Sequence, residues 1–334
     1  MFFNLKVIRD EWLIYLIKLY LKHFDSEYYD YVNMTAYDGI SMFTQNEELK
    51  AVLGGQFGDY GPPPKKASFF VHASIANHYF EGGYFPKGGT GVIAEKIIPT
   101  IEKAGGRVLV SKAVKKIIIE DNEAIGVEME NGDRILAKTI VSAVGLRNTF
   151  KKLVNQEYPK YNNLLNKIPE STSFIYMFVN LEGEPASMDL KSSNIWVWPE
   201  RDYDKMIDTF MDNPYKNPMP FFIACSCAKD STWKERFPGK SNAIVLTIGS
   251  KDWFSQWENQ KCMKRGGGYE SLKEAFAERM LEEGLYKHYP KTRGKVTHYD
   301  MKFEDGTIME NVPFDSIQVT NASLAEGHSH SMAK

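Results

Sequence analysis

The stretch NHYFEGGYFPKGGTGVIAEKI, residues 77–97, decides how this chain is read. From Gly89 it gives Gly89-x-Gly91-x-x-Ala94, the spacing of a dinucleotide-binding fingerprint. Such a loop needs a buried strand leading in, a helix leading out, and an acidic residue at the end of the next strand. The helix is there: Val92, Ile93, Ile97, Ile98 and Ile101 have helical spacing, Pro99 marks a kink or turn, and Gly105-Gly106 end it. The lead-in carries Gly82, Gly83 and Pro86 and cannot be a central parallel strand. The next apolar run, RVLV, is followed by Ser111-Lys112 rather than an acid, which leaves a phosphorylated ribose as the alternative. Two of three tests fail. What survives is Gly88-Gly89 before a helix, where the backbone can approach a ligand closely and helix-start N–H groups face an anion or carbonyl. The competing reading is a plain turn capped by Thr90.

Working outward, residues 1–55 read as helical, with Thr44 or Asn46 capping a short helix that stops at Gly54-Gly55. Gly61-Pro62-Pro63-Pro64 is a break, and Phe69 to Tyr79 fits another helix. After the glycine stretch come RVLVS (107–111), strands near 114–119 and 124–129 joined at Asp121-Asn122, and a last strand at 139–144. Further on, 173–183 and 242–250 are strong strand candidates, and Asn194 to Trp198 and Pro220 to Cys225 weaker ones. Residues 270–289 form a helix with Leu272, Phe276, Met280 and Leu281 on one face, and from about 301 the chain turns polar and aperiodic.

Composition narrows the function. With 41 Lys and Arg against 43 Asp and Glu there is no electrostatic case for nucleic acid. An aromatic share of 13% favours large apolar surfaces or a greasy ligand. Cys225, Cys227 and Cys262 suit neither a disulfide framework nor a zinc site, so no metal is expected. The run WLIYLIKLYL, residues 12–21, is too short and too charged to span a bilayer; it packs on a core or lies on a membrane surface. No Ser-His-Asp or paired-carboxylate set stands out, so no catalytic residue is assigned. His72 and His78 read as packed or solvated helix histidines.

Several separated motifs resemble one family in the same order. They are Asn77-His78-Tyr79, Gly82-Gly83, Phe85-Pro86-Lys87-Gly88-Gly89, Ala104-Gly105-Gly106 and Val141-Ser142-Ala143-Val144-Gly145-Leu146. They continue in the run Ala228 to Lys240 (AKDSTWKERFPGK), in Trp253-Phe254-Ser255-Gln256-Trp257 and in Lys264-Arg265-Gly266. Over roughly residues 25–297 the chain resembles the retinol saturases, a branch of the FAD-dependent phytoene desaturases and carotenoid isomerases.

The resemblance implies a mixed α/β fold, the middle portion of a two-domain, amine-oxidase-like flavoprotein. Residues 1–75 would be the helical part of a substrate- or membrane-binding region, 76–150 the returning part of the FAD domain, 151–300 the substrate domain and 301–334 an irregular tail. It implies FAD contacts at Gly88, Gly89, Val114, Ala143 and Val144, the last three through main chain. It implies reduction of a carbon–carbon double bond in a retinoid or other polyene, NAD(P)H as electron source, and the endoplasmic reticulum membrane as location, met through residues 1–24. The family's N-terminal βαβ unit with G-x-G-x-x-G and its C-terminal flavin-binding segment are not matched. Two further expectations follow: weak or no FAD binding by this chain alone, and an inactive or partner-binding product as the alternative to an enzyme. A carotenoid isomerase or desaturase relative is the third possibility.

Overall fold

The computed structural model describes residues 11–24, 26–154, 156–167, 173–257, 260, 265–302 and 319–320. Cys262 lies outside them. The chain divides into two compact units, Met1–Gly83 with Trp198–Pro218, and Tyr84–Val197 with Met219–Lys334.

The first unit is helical: Glu11–Phe24, Ser26–Asn33, Ala36–Ser41, Glu47–Gly54, Phe69–His78 and, from the later segment, Tyr203–Asp212. Several of its helices start at side-chain caps. Asn46 Oδ1 accepts the amides of Glu48 (2.9 Å) and Leu49 (3.2 Å), and Glu47 and Glu48 add negative charge to that first turn. Asp202 caps Tyr203–Asp212 by accepting from Lys205 N at 3.1 Å. The core is aromatic: Phe57 and Tyr60 are buried, and Trp198 stacks on Phe57 with centroids 4.3 Å apart. The polar tips of these rings are satisfied, Trp198 Nε1 donating to Gly55 O (2.8 Å) and Tyr203 OH to Ala51 O (2.6 Å).

The second unit holds two antiparallel sheets. The small one is β1 (Val114–Glu120), β2 (Glu123–Met129) and β3 (Arg134–Leu136), in that order. Asp121 and Asn122 both have positive φ (46° and 65°), the two-residue turn that matches the twist of its strands. The large sheet comprises β4 (Ser173–Glu182), β5 (Ile195–Val197), β6 (Phe221–Ala224), β7 (Lys240–Gly249) and β8 (Val296–Lys302), ordered β5-β6-β7-β4-β8. A short β9 (Val319–Thr320) also pairs with β4. Alternation sorts the faces. Ile175, Met177, Val179 and Leu181 of β4 join Ala243, Val245, Phe221 and Ile223 on a buried face. The helix Gly267–Arg279 and the π-turn Met280–Leu285 contribute buried Phe276, Met280 and Leu285, and at Gly284 the backbone lies close over that face. A Cβ there would sit 3.3 Å from Phe221 and 3.4 Å from Val245.

Four expectations change. Residues 107–111 and 139–144 have strand composition but form no ladder among the described residues; Val110 is 80% and Val141 86% exposed. An apolar run becomes a strand only with a neighbour to share its backbone bonds. The helix of 270–289 is not continuous: the π-turn at Met280 shifts the register, so Leu281 is only half-buried while Leu285 is fully buried. The helix Gly91–Lys103 runs through Pro99, so of the two readings of that proline the turn is excluded. Residues 301–302 complete β8, and 319–320 pair with β4, so those parts of the tail are ordered strand.

Candidate functional site

The quoted glycines form a turn with two left-handed residues, Gly88 (φ 95°) and Gly89 (φ 86°). A Cβ on Gly88 would stand 2.9 Å from Val92 Cγ1, so space as well as conformation demands glycine. Gly89 N donates to Pro86 O at 3.0 Å and closes the turn. Thr90 precedes the helix but makes no side-chain cap bond, which removes the plain capped turn. Gly91, the second fingerprint glycine, has open space where a Cβ would go and no positive φ. Its spacing from Gly89 is therefore coincidental.

What holds the turn comes from 142 residues away. Gly88 N donates to Asp230 Oδ1 at 3.0 Å. Asp230 lies in the β6–β7 connection, within the AKDSTWKERFPGK run. The same Oδ1 accepts Thr232 N (3.0 Å) and Thr232 Oγ1 (2.8 Å), while Oδ2 pairs with Arg236 Nη2. The Asp230 side chain is 1% exposed and that of Arg236 37%. Burial by itself would push the carboxyl upward; the amides of Gly88 and Thr232, the hydroxyl and the guanidinium outweigh it and hold Asp230 well below the usual carboxylate range. The Arg236 guanidinium lies 4.9 Å from the Phe237 ring centroid and 5.9 Å from that of Trp233. It also covers Gly89, whose Cβ would be 3.4 Å from Nη2. Beside it, Lys229 bonds to Asn194 Oδ1 and sits 6.0 Å from the Phe85 ring; burial draws its pKa down.

The other expected cofactor positions stand elsewhere in the second unit. Val114 opens β1, paired with Met129 and 36% exposed. Ala143 and Val144 are exposed and lie outside any strand; Val144 O accepts Asn148 Nδ2 at 3.0 Å, and Ser142 Oγ shares a 2.7 Å bond with Thr149 Oγ1. β1 packs on that same Thr149–Leu153 turn. Ser142 and Val144 thus bond to Thr149 and Asn148, β1 as an element meets the adjoining Thr149–Leu153 turn, and Gly88 bonds to Asp230. FAD would be held here by backbone: the main chain at 139–144, which pairs in no ladder, suits such a group, whereas the glycine at 88 is required by its positive φ and by Val92.

A second surface belongs to the large sheet. Opposite its buried face, Trp196, Phe222, Leu246, Ile244, Tyr176 and Phe178 are half-buried or exposed. Register places Trp196 beside Phe222, Phe222 beside Leu246, and Leu246 beside Tyr176. Tyr176 and Phe178 lie nearly parallel, with centroids 6.2 Å apart. The two expected histidines separate: His72 is buried with Nδ1 2.9 Å from Tyr60 OH, and burial lowers its pKa, while His78 edges onto Tyr79 in the open. Cys225 and Cys227 are buried, and burial pushes the Cys225 thiol up to about 12. Among the described residues no group of three His, Cys, Asp or Glu could hold a metal. None of their helices is long and apolar enough to cross a membrane, though Glu11–Phe24 exposes Tyr15, Leu16, Leu19, Tyr20 and Phe24.

Asp230 and Arg236 were beyond sequence reasoning. The pattern Asp230-x-Thr232 before an aromatic turn signals a local cap, but nothing in it points to Gly88.

Comparison with known proteins follows the same lines. An all-trans-retinol 13,14-reductase of Danio rerio is 36% identical over 282 residues, 81% of this chain and 46% of that protein. A Danio rerio protein named inactive all-trans-retinol 13,14-reductase is 29% identical over 294 residues, 84% of this chain and 48% of its own length. The chain thus spans about half the length of these curated relatives. In fold it is similar to an oxidoreductase from Methanosarcina mazei, with a TM-score of 0.55 at 16% identity, covering 95% of this chain and 72% of that one. Residues 29–262 match the family described as flavin containing amine oxidoreductase, and the chain belongs to that family.

Proposed function

We propose that the chain is part of a flavin-dependent oxidoreductase of the retinol-saturase type, which reduces a carbon–carbon double bond of a retinoid, all-trans-retinol giving 13,14-dihydroretinol. One observation carries the substrate class: the half-open apolar face of the large sheet, with Trp196 and Phe222 4.5 Å apart and Tyr176 parallel to Phe178. A polyene offers no hydrogen-bonding groups along its length, so apolar contact and shape must hold it. FAD, when bound, supplies the two-electron chemistry. The residues of this chain do the rest. The sheet face excludes water and orients the polyene, and the Gly88-Gly89 turn, kept free of side chains by its positive φ and by Val92, brings main chain to the flavin. Saturating one double bond consumes two electrons and two protons, so an external two-electron donor, NAD(P)H by chemical class, completes the balance. Residence on the endoplasmic reticulum membrane belongs to the same proposal, supported by the exposed apolar residues of Glu11–Phe24.

The test is direct. The full chain should bind FAD weakly but saturably, read as quenching of flavin fluorescence on titration, and all-trans-retinol should quench its tryptophan emission saturably. A titration that never saturates with either ligand would overturn the proposal. A second reading, retinoid binding without turnover, is favoured by similarity to the relative named inactive. Chromatography of the retinoid after incubation with FAD and NAD(P)H separates the possibilities: dihydroretinol marks the reductase, unchanged retinol the binder, and cis–trans isomers alone an isomerase.

A further inference from the structure

We infer that Asp230 is a positioning residue for the cofactor-facing turn. This rests on the proposal that Gly88-Gly89 meet FAD. Two left-handed glycines in succession are among the most flexible backbone a chain can have, and a ligand cradle needs the opposite. The structure supplies that rigidity from outside the turn. One carboxylate oxygen takes the Gly88 amide, and the same oxygen is fixed by the amide and hydroxyl of Thr232. The other oxygen is fixed by Arg236, whose guanidinium is braced over the Phe237 ring and lies across Gly89. Asp230 is buried, so the bond to Gly88 is shielded from competing water. Gly88 N and Gly89 N are both consumed, by Asp230 and by Pro86 O. The amides of Thr90 and Gly91 stand outside these bonds at the start of the helix Gly91–Lys103, aimed by the turn that Asp230 fixes. The β6–β7 connection of the substrate sheet thereby sets the conformation of the turn.

Two readouts test this on the full chain: hydrogen exchange of the segment 84–92, and FAD affinity by fluorescence titration. Asp230→Ala should expose the Gly88 amide, speed exchange across 84–92 while β4 and β7 stay protected, and weaken FAD by at least about tenfold. Asp230→Asn keeps the shape and an oxygen for Gly88 but loses the Arg236 pair. It should fall between, and it serves if the alanine variant does not fold. Met280→Ala is the control for a merely structural role, since Met280 is buried in the core of the same unit and takes no part in the bonds that hold Gly88 and Asp230. It should lower stability yet leave both exchange at 84–92 and FAD affinity near wild type. Unchanged exchange at 84–92 in the Asp230 variants overturns the inference. So does faster exchange with wild-type FAD affinity. A Met280→Ala protein that loses FAD as Asp230→Ala does would overturn it too. If the wild-type chain takes up no FAD, the functional proposal fails and the inference with it. A wild type that binds FAD and variants that bind it equally well sink the inference alone.

Discussion

Three neighbouring glycines should respond to alanine in three different ways. Gly88 has φ 95° and Gly89 φ 86°, whereas Gly91 has no positive φ. An L-residue held at positive φ costs about 1–2 kcal/mol. For Gly88→Ala the new methyl would also meet Val92 Cγ1 at 2.9 Å. Relieving that contact by turning Val92 off its rotamer adds about 0.5–1.5 kcal/mol, so a total near 2–3 kcal/mol is expected. Gly89→Ala has the backbone cost and an ordinary 3.4 Å contact to Arg236, giving about 1–2 kcal/mol. Gly91→Ala meets nothing within 4 Å and gains helix propensity, so it should be neutral or stabilise by up to about 1 kcal/mol. Urea unfolding followed by tryptophan fluorescence gives all three values on one chain. In a double-mutant cycle, Val92→Ala should return only the steric part of the Gly88 loss, roughly 1 kcal/mol. If Gly91→Ala were as costly as Gly88→Ala, the fingerprint glycine would matter after all and the account of this turn would be wrong.

Other perturbations probe separate parts of the structure. Met280→Ala empties a fully buried site under the sheet and should cost about 2–5 kcal/mol in urea unfolding; a loss under 1 kcal/mol would mean the π-turn does not seat on the sheet. His72 is held neutral, its folded pKa below the ordinary value, so the unfolded chain binds more protons between the two. Its stability contribution is complete above the ordinary histidine pKa and lost as pH falls below it, and His72→Gln should flatten that slope in melts run from pH 8 to 5. Asp230 acts on the acid side: its depressed pKa gives stability present above the ordinary carboxylate value and lost below it, and Asp230→Asn should remove that loss. Trp196→Ala should weaken retinol binding severalfold while leaving FAD retention unchanged; equal affinity would move the polyene off this sheet face.

Much of this was written locally. The Asn46 cap, the Asp121-Asn122 turn and the alternation of β4 and β7 each depend on residues a few positions apart, and each is where the pattern places it. The segments 107–111 and 139–144 show the limit, because apolar composition specifies that a segment could pair but not that a partner lies beside it. The π-turn at Met280 is equally silent in the pattern, since the spacing of Phe276, Met280 and Leu281 suits an uninterrupted helix. For the site, Gly88-Gly89 could be picked out by context, yet their anchor could not. A lone aspartate 142 residues on carries no mark of the amide it will accept.

The segment Trp198–Pro218 bears on how the protein is made. Trp198 caps its indole on Gly55 O from 143 residues downstream, and Tyr203 reaches Ala51 O from 152. A nascent chain that has just completed Met1–Gly83 therefore carries Phe57 without the indole that covers it. At about 5–20 residues per second of synthesis, that surface stays uncovered for roughly 6–23 seconds. Long-range closure of this kind slows folding, and the first unit is finished only after much of the second has been translated. The dependence on chaperones that follows would fall on the helical N-terminal segment, and a chain halted before Trp198 would leave it the more aggregation-prone piece.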